Sequence, residues 1–376
     1  MRKLGILADD IELINNFKQS SSFEEVIILN ESNIKTEAID IVLVSDRKYA
    51  ISNLKNLAGL MNWQKCFYMV SGKNFSNLTR ALVESDVVTM IPPKLTIDQI
   101  VDFVYQRIHK NSISKNKLFT FFGADSKVGT TMIAQSTAEL LAKVSNRVIY
   151  LPLDGTVGDD YCQFDNKFGL NDIKTKLQTK ILSRNELEDI CVESKAGYDV
   201  LPGIKSILSR RQFHPEDVAY LLKLIKKLYE VVIIDTGSDI ELGTAIAGLN
   251  ATPNRILVTS QQSVAYKRFR NLKNQILDLV GIESYLIVIN KYVDNPSLED
   301  SRKMESNFGG TLVTTVPFIE YGWQCEQEQR SLLSTKDDQF TESIESIVEV
   351  ITSHLDIPFS KSVKRKKSFF SRLFIS

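Results

Sequence analysis

Short apolar runs alternate with stretches of helical spacing along most of the chain, the pattern of parallel strands joined by covering helices. In the first hundred residues the runs 3–8, 26–29, 39–44, 66–70 and 87–91 read as five strands. The stretch 96–109 puts Ile97, Ile100, Val101, Val104 and Ile108 on one helical face, with Asp98, Asp102 and Gln106 elsewhere. That helix is expected to close a first domain, 1–109, and the polar segment 110–117 reads as a linker. A second series follows, with strands expected at 118–122, 147–153, 200–201, 231–235, 255–259, 285–290 and 311–316. These runs are apolar nearly throughout, as in strands covered on both faces. Helical spacing at 131–144, 216–229, 266–279 and 342–355 supplies the cover. The pattern predicts an α/β chain whose second domain, 118–356, is doubly wound and takes a ligand at the carboxyl ends of its strands.

At 376 residues the chain is longer than one hydrophobic core usually serves, in agreement with two domains. Lys plus Arg and Asp plus Glu each number 46, so no overall charge draws the chain to nucleic acid, and such a partner is not expected. Cys66, Cys162, Cys191 and Cys325 lie far apart without metal-type spacing; they are expected to be free, buried and small in a reducing compartment. The first residues lack a leader-type apolar core, and no run approaches the roughly 18 apolar residues of a membrane span. A cytoplasmic protein is expected.

The most informative segment is Gly123-Ala-Asp-Ser-Lys-Val-Gly-Thr-Thr131, which joins an apolar strand to a helix. A phosphate-binding loop occupies that place in a P-loop fold, with backbone N–H groups around the phosphates, a lysine on the β/γ-phosphates and a hydroxyl on Mg²⁺. Here Thr130 stands at the lysine position, with Thr131 after it at the helix start. A second strand, Val231-Val-Ile-Ile-Asp235, ends in an acid as a Walker B strand does, beside the metal. A third run ends at Asp154 and continues to Gly158-Asp159-Asp160, acids that either hold metal, position water or cap a turn. Asn290-Lys291 closes a later strand, and an asparagine amide offers a donor and an acceptor to a base edge.

Taken in order, these segments resemble the MinD/ParA family of deviant-Walker ATPases, and within it the pilus-assembly branch called TadZ or CpaE. The resemblance covers nearly the whole chain. It aligns Asp125 with the family's signature lysine and Thr130 with the P-loop lysine, so both lysines are absent. Lys127 replaces a glycine, either facing solvent or standing in for a lost charge. Pro152-Leu153-Asp154 with Gly158-Asp159, Leu201-Pro202-Gly203, and Pro215-Glu216-Asp217 before Asp235 match the branch further. The resemblance implies ATP and Mg²⁺ as cofactors. It implies nucleotide contacts at Ser126, Lys127, Val128, Gly129, Thr130, Thr131, Asn290, Lys291, Pro317 and Phe318, and metal contacts at Thr131, Asp235 and Asp154. Asp154 and Asp159 are the candidate catalytic acids, and hydrolysis is expected to be weak or absent.

The first domain resembles a response-regulator receiver (flavodoxin-like) preceding the P-loop NTPase. Ser45 stands at the phosphoacceptor position with Asp46 one residue on, and Pro92 replaces the lysine after the fifth strand. Phosphorylation is therefore not expected, and protein contact is. Basic residues between Lys361 and Arg372 precede Leu373-Phe374-Ile375, a composition suited to an anionic membrane face. The resemblance implies a nucleotide-linked homodimer that positions a pilus-secretion machine, at the cell pole or the inner membrane face. An active MinD- or ParA-type ATPase and a nucleotide-free scaffold are the alternatives.

Overall fold

A computed structural model describes residues 3–19, 23–30, 33, 39–49, 65–70, 88–91, 95–108, 116–278, 280, 282 and 284–361. The expected linker, Pro92 and the basic end beyond Lys361 lie largely or wholly outside those residues.

The first sheet carries β1 (Lys3–Leu7), β2 (Glu25–Ile28), β3 (Ile41–Ser45), β4 (Lys65–Met69) and β5 (Val88–Ile91), all parallel in the order β2-β1-β3-β4-β5. That is the order of flavodoxin-like sheets. Helices α1 (Ile11–Gln19) and α2 (Ile97–Ile108) cover one face, where Leu13, Phe17, Phe103 and Val104 pack on Leu4, Ile6 and Phe67. At the carboxyl end of β3, Ser45 is buried. Asp10 accepts the Leu13 amide as a helix cap, and Asp9 pairs with Lys48 at 2.6 Å. Asp10 is thus committed to capping α1, while Asp9 stays exposed beside Lys48.

The second sheet is built from β6 (Leu118–Gly123), β7 (Val148–Pro152), β8 (Val192–Glu193), β9 (Asp199–Val200), β10 (Val231–Asp235), β11 (Arg255–Thr259), β12 (Leu286–Tyr292) and β13 (Thr311–Pro317). Its order is β13-β12-β11-β6-β10-β7-β9-β8, parallel except for the β8–β9 edge. The strand expected at 200–201 lies one residue earlier and is joined by the antiparallel β8, which is too short to show a period. Along the chain run α3 (Thr130–Ala142), α4 (Lys174–Gln178), α5 (Arg184–Ile190), α6 (Pro215–Leu228), α7 (Gly243–Asn250), α8 (Ser263–Leu272), α9 (Ser301–Phe308), α10 (Gly322–Gln327) and α11 (Asp338–Leu355). One face of the sheet buries Ile133, Phe269, Phe308 and Ile347; the other buries Val218, Leu221, Ile225 and Ala247. The apolar β6 run, with no exposed residue, therefore lies between two helical layers.

The chain winds outward from β6 in both directions, since its neighbours are β10 and β11. A crevice opens at such a switch point, beyond the carboxyl ends of the strands. The first sheet's helix α2 meets the second sheet at its opposite end. Gln99 donates to Asn254 Oδ1 at 3.2 Å just before β11, and Ser284 donates to Asp98 just before β12.

Candidate functional site

The loop after β6 turns into α3 at Gly129, whose φ of 94° lies in the left-handed region. A Cβ there would stand 2.2 Å from Asn290 Nδ2, so both the backbone and its neighbour require glycine. Asn290 itself is buried and donates to the Val128 carbonyl at 2.8 Å, fastening the end of β12 to the loop. Its Oδ1 is buried and takes no hydrogen bond. Lys291 (φ 54°) donates to the carbonyl of Lys127 (φ 61°) at 2.7 Å, so two left-handed non-glycine residues face one another. The Lys127 side chain is 88% exposed, with Nζ 4.0 Å from Glu326 Oε1.

Thr130, at the lysine position, is buried; a Cβ on Gly123 would lie 2.6 Å from its hydroxyl. Its short side chain thus tucks against the end of β6. Thr131 beside it stabilises the charged form of Asp235. Asp235 is fully buried, accepting the Tyr150 hydroxyl and the Gly237 amide at 2.9 Å each. Burial first, then the charge of Asp154, pushes the Asp235 carboxyl up to about 7. Asp154 accepts the Thr156 amide at 2.9 Å and its hydroxyl at 2.8 Å. Its carboxyl is also raised, mainly by burial, against the opposing pull of Thr156 and the Arg210 guanidinium. Arg210 is held by the Gly155 carbonyl at 2.7 Å.

A cavity of about 680 Å³ joins these parts. Gly129, Thr131 and Asp154 line one region, and Asn290, Lys291, Pro317 and Phe318 also face it. Its size suits a small-molecule ligand. Ser126, Lys127 and Thr130 share the wall. Val128 does not: its side chain is in the core and its carbonyl is taken by Asn290. Asp235 lies sealed behind Thr131 and Tyr150, off the wall. Asp160 is on the wall instead of Asp159, whose carboxylate accepts Asn166 at 3.5 Å. The Asp160 carboxyl is raised by burial and then by Asp154 and Asp159.

The donor set fits a divalent cation: Thr131 and Asp154 share the wall, and Asp235, whose carboxyl the charge of Asp154 raises, stands beside the Thr131 hydroxyl. The unpaired Asn290 Oδ1 fits a ligand N–H. The wall offers less to a terminal phosphate: Asp125, Asp154, Asp160, Asp239 and Glu326 outnumber Lys127, Arg210 and Lys291.

Sequence reasoning gave no role at this site to Arg210, Trp323 and Glu326 on this wall, nor to Arg268, whose guanidinium pairs with Asp125. Arg268 is 143 residues from its partner, and no local pattern announces such a pair. Cys66, Cys162 and Cys325 are buried and free, whereas Cys191 is only half-buried at the end of α5.

The second sheet has the fold of the MinD/ParA P-loop NTPases. Its structural neighbours include a ParA family ATPase of Chlorobium tepidum, at 19% identity and TM-score 0.54 over 63% of this chain and 98% of that one. The MinC:MinD cell division protein complex of Aquifex aeolicus follows at 14% identity and TM-score 0.51, covering 66% of this chain and 99% of that chain. The septum site-determining protein MinD of Pyrococcus horikoshii, complexed with Mg-ADP, gives 15% and 0.50 over 62% and 96%. In sequence the chain is similar to an uncharacterized ATP-binding protein of Methanocaldococcus jannaschii, 24% identical over 252 residues, 66% of this chain and 90% of that protein. No protein-family model matches the chain. Among the described residues no helix is long and apolar enough to cross a membrane.

Proposed function

We propose that this protein is a Mg²⁺-dependent ATP-binding localisation factor of the MinD/ParA type, similar to the TadZ branch, that dimerises with nucleotide and hydrolyses it slowly or not at all. One observation carries the reading: a single cavity at the switch point joins the Gly129 loop, the Thr131–Asp154 corner over Asp235, and Asn290 with Pro317 and Phe318. Backbone N–H groups at the start of α3 face a phosphate, Thr131 and Asp154 hold Mg²⁺ with Asp235 behind them, and Asn290 reads the base. The bound cation supplies the positive charge that the acidic wall lacks.

Slow turnover follows from charge. Phosphoryl transfer depends on fixed positive groups around the moving phosphoryl, and neither loop lysine is present. Lys127 is directed to solvent and Glu326, which favours binding over hydrolysis. In this reading the first domain is an atypical receiver that contacts a pilus-type secretion machine, the chain works as a homodimer, and its basic end, 361–376, meets the inner membrane face or cell pole. The domain division at 1–109, 110–117, 118–356 and 357–376 belongs to the same proposal.

Calorimetric titration with Mg-ATP, comparing wild type with Asp235→Ala while phosphate release is followed, tests the reading. Binding without turnover, lost in the variant, is expected. Steady turnover would establish an active ATPase instead, and no binding would leave a scaffold.

A further inference from the structure

The segment Tyr321-Gly-Trp-Gln-Cys-Glu-Gln forms the single-turn-and-a-half helix α10, anchored by Cys325, which has no exposed surface. Trp323 and Glu326 are three residues apart and so share one side of the helix. Both line the cavity. Glu326 is fixed there twice, by Lys127 at 4.0 Å and by the Tyr161 hydroxyl at 3.4 Å. The wall thus holds α10 in register with the phosphate-type loop.

Trp323 is nevertheless 74% exposed. Tryptophan carries one of the largest apolar surfaces of any residue and is usually well covered. Phe318 faces the same cavity and is 47% exposed. Two open aromatic rings therefore share a cavity with Asn290, whose buried Oδ1 takes no hydrogen bond. Aromatic faces together with one hydrogen-bond acceptor match a flat heteroaromatic ring bearing an N–H donor.

We propose that Trp323 stacks on the base of the nucleotide and so determines how strongly the cavity distinguishes a nucleotide from a bare polyphosphate. The inference rests on the nucleotide reading above and adds to it a residue outside the resemblance. Its consequence is a division of labour. Stacking carries affinity that the lysine-less loop does not provide, and it does so without sensing the phosphate chain.

The test uses the full chain and tryptophan emission. The sequence has two tryptophans, Trp63 and Trp323, so the Trp323→Phe variant keeps Trp63 as an internal control. Mg-ATP is expected to change the emission of wild type in a saturable way and to leave that of Trp323→Phe unchanged, while calorimetric affinity stays within about threefold. Trp323→Ala is expected to bind Mg-ATP about tenfold or more weakly, since base–aromatic stacking has that magnitude, and to bind magnesium tripolyphosphate as wild type does. Equal ATP affinity in wild type and Trp323→Ala, or a parallel loss of tripolyphosphate binding, would overturn the stacking role alone. Failure of wild type to bind Mg-ATP would overturn the nucleotide reading together with it.

Discussion

The carboxylate of Asp125 and the guanidinium of Arg268 are paired across the mouth of the phosphate-type loop, tying β6 to α8. The Asp125 side chain is only 7% exposed, and the same guanidinium reaches Ser126 Oγ at 3.4 Å. The loop, with an acid at 125, thereby draws a cation from elsewhere in the chain.

Arg268→Ala is expected to leave Asp125 covered without a counter-charge. Because the arginine is more than half exposed, solvent screens the pair, and the stability loss in urea titration should be about 1 kcal/mol. Mg-ATP affinity should fall as well, through the uncompensated negative charge. Asp125→Asn in the same chain should restore both, and failure to do so would disprove the pairing role.

Asp235 sets a pH dependence. Its folded-state carboxyl is raised above the unfolded value, so between about pH 4 and 7 the folded form holds a proton that the unfolded chain has lost. This group's contribution to stability without metal therefore declines as pH rises through that window. A cation held by Thr131 and Asp154 gains from negative charge on Asp235 behind them, so Mg²⁺ should raise the melting temperature more at pH 8 than at pH 5.5. Asp235→Asn should abolish the difference; an equal Mg²⁺ effect at both pH values would refute the assignment.

Gly129→Ala combines a left-handed backbone with a Cβ 2.2 Å from Asn290 Nδ2. A cost of about 2–4 kcal/mol is expected from strain and the displaced amide. Chemical denaturation would measure it. Nucleotide binding should be lost even under conditions where the variant remains folded.

Gln99→Ala removes the donor to the buried Asn254 Oδ1, where α2 meets the second sheet. The expected loss is about 1–3 kcal/mol in urea titration, because a buried acceptor is left unsatisfied. Mg-ATP affinity should hardly change, since the contact lies at the end of the sheet away from the cavity.

The longer strands were legible because they are apolar runs long enough to exclude a loop: 231–235 and 255–259 coincide with β10 and β11. Some helices were missed although their signals are local. Ser183 and Glu186 form a capping box before α5, and Asp300 with Gly309 brackets α9, but both helices are too short to show a full apolar stripe. The helix expected over 266–279 begins at Ser263, and its regular part ends at Leu272, where a wider π turn takes over. The candidate site was legible in position where a residue ends a strand: Asp154 and Asn290 reach the cavity wall, and Asp235 lies behind it. It was illegible where partners meet only in space: Arg268 with Asp125, Arg210 with Gly155, Glu326 with Lys127.

The strand β12 touches both ends of this arrangement. Ser284, just before it, holds Asp98 of the first sheet, and Asn290, near its far end, grips the loop through Val128. About 20 Å of stiff backbone separates the two grips. A partner seated on the first sheet and a ligand in the cavity can therefore ride on one molecule without displacing each other, as two passengers with separate doors. β12, beside β11 with its own grip on Gln99 through Asn254, offers a stiff path between the two.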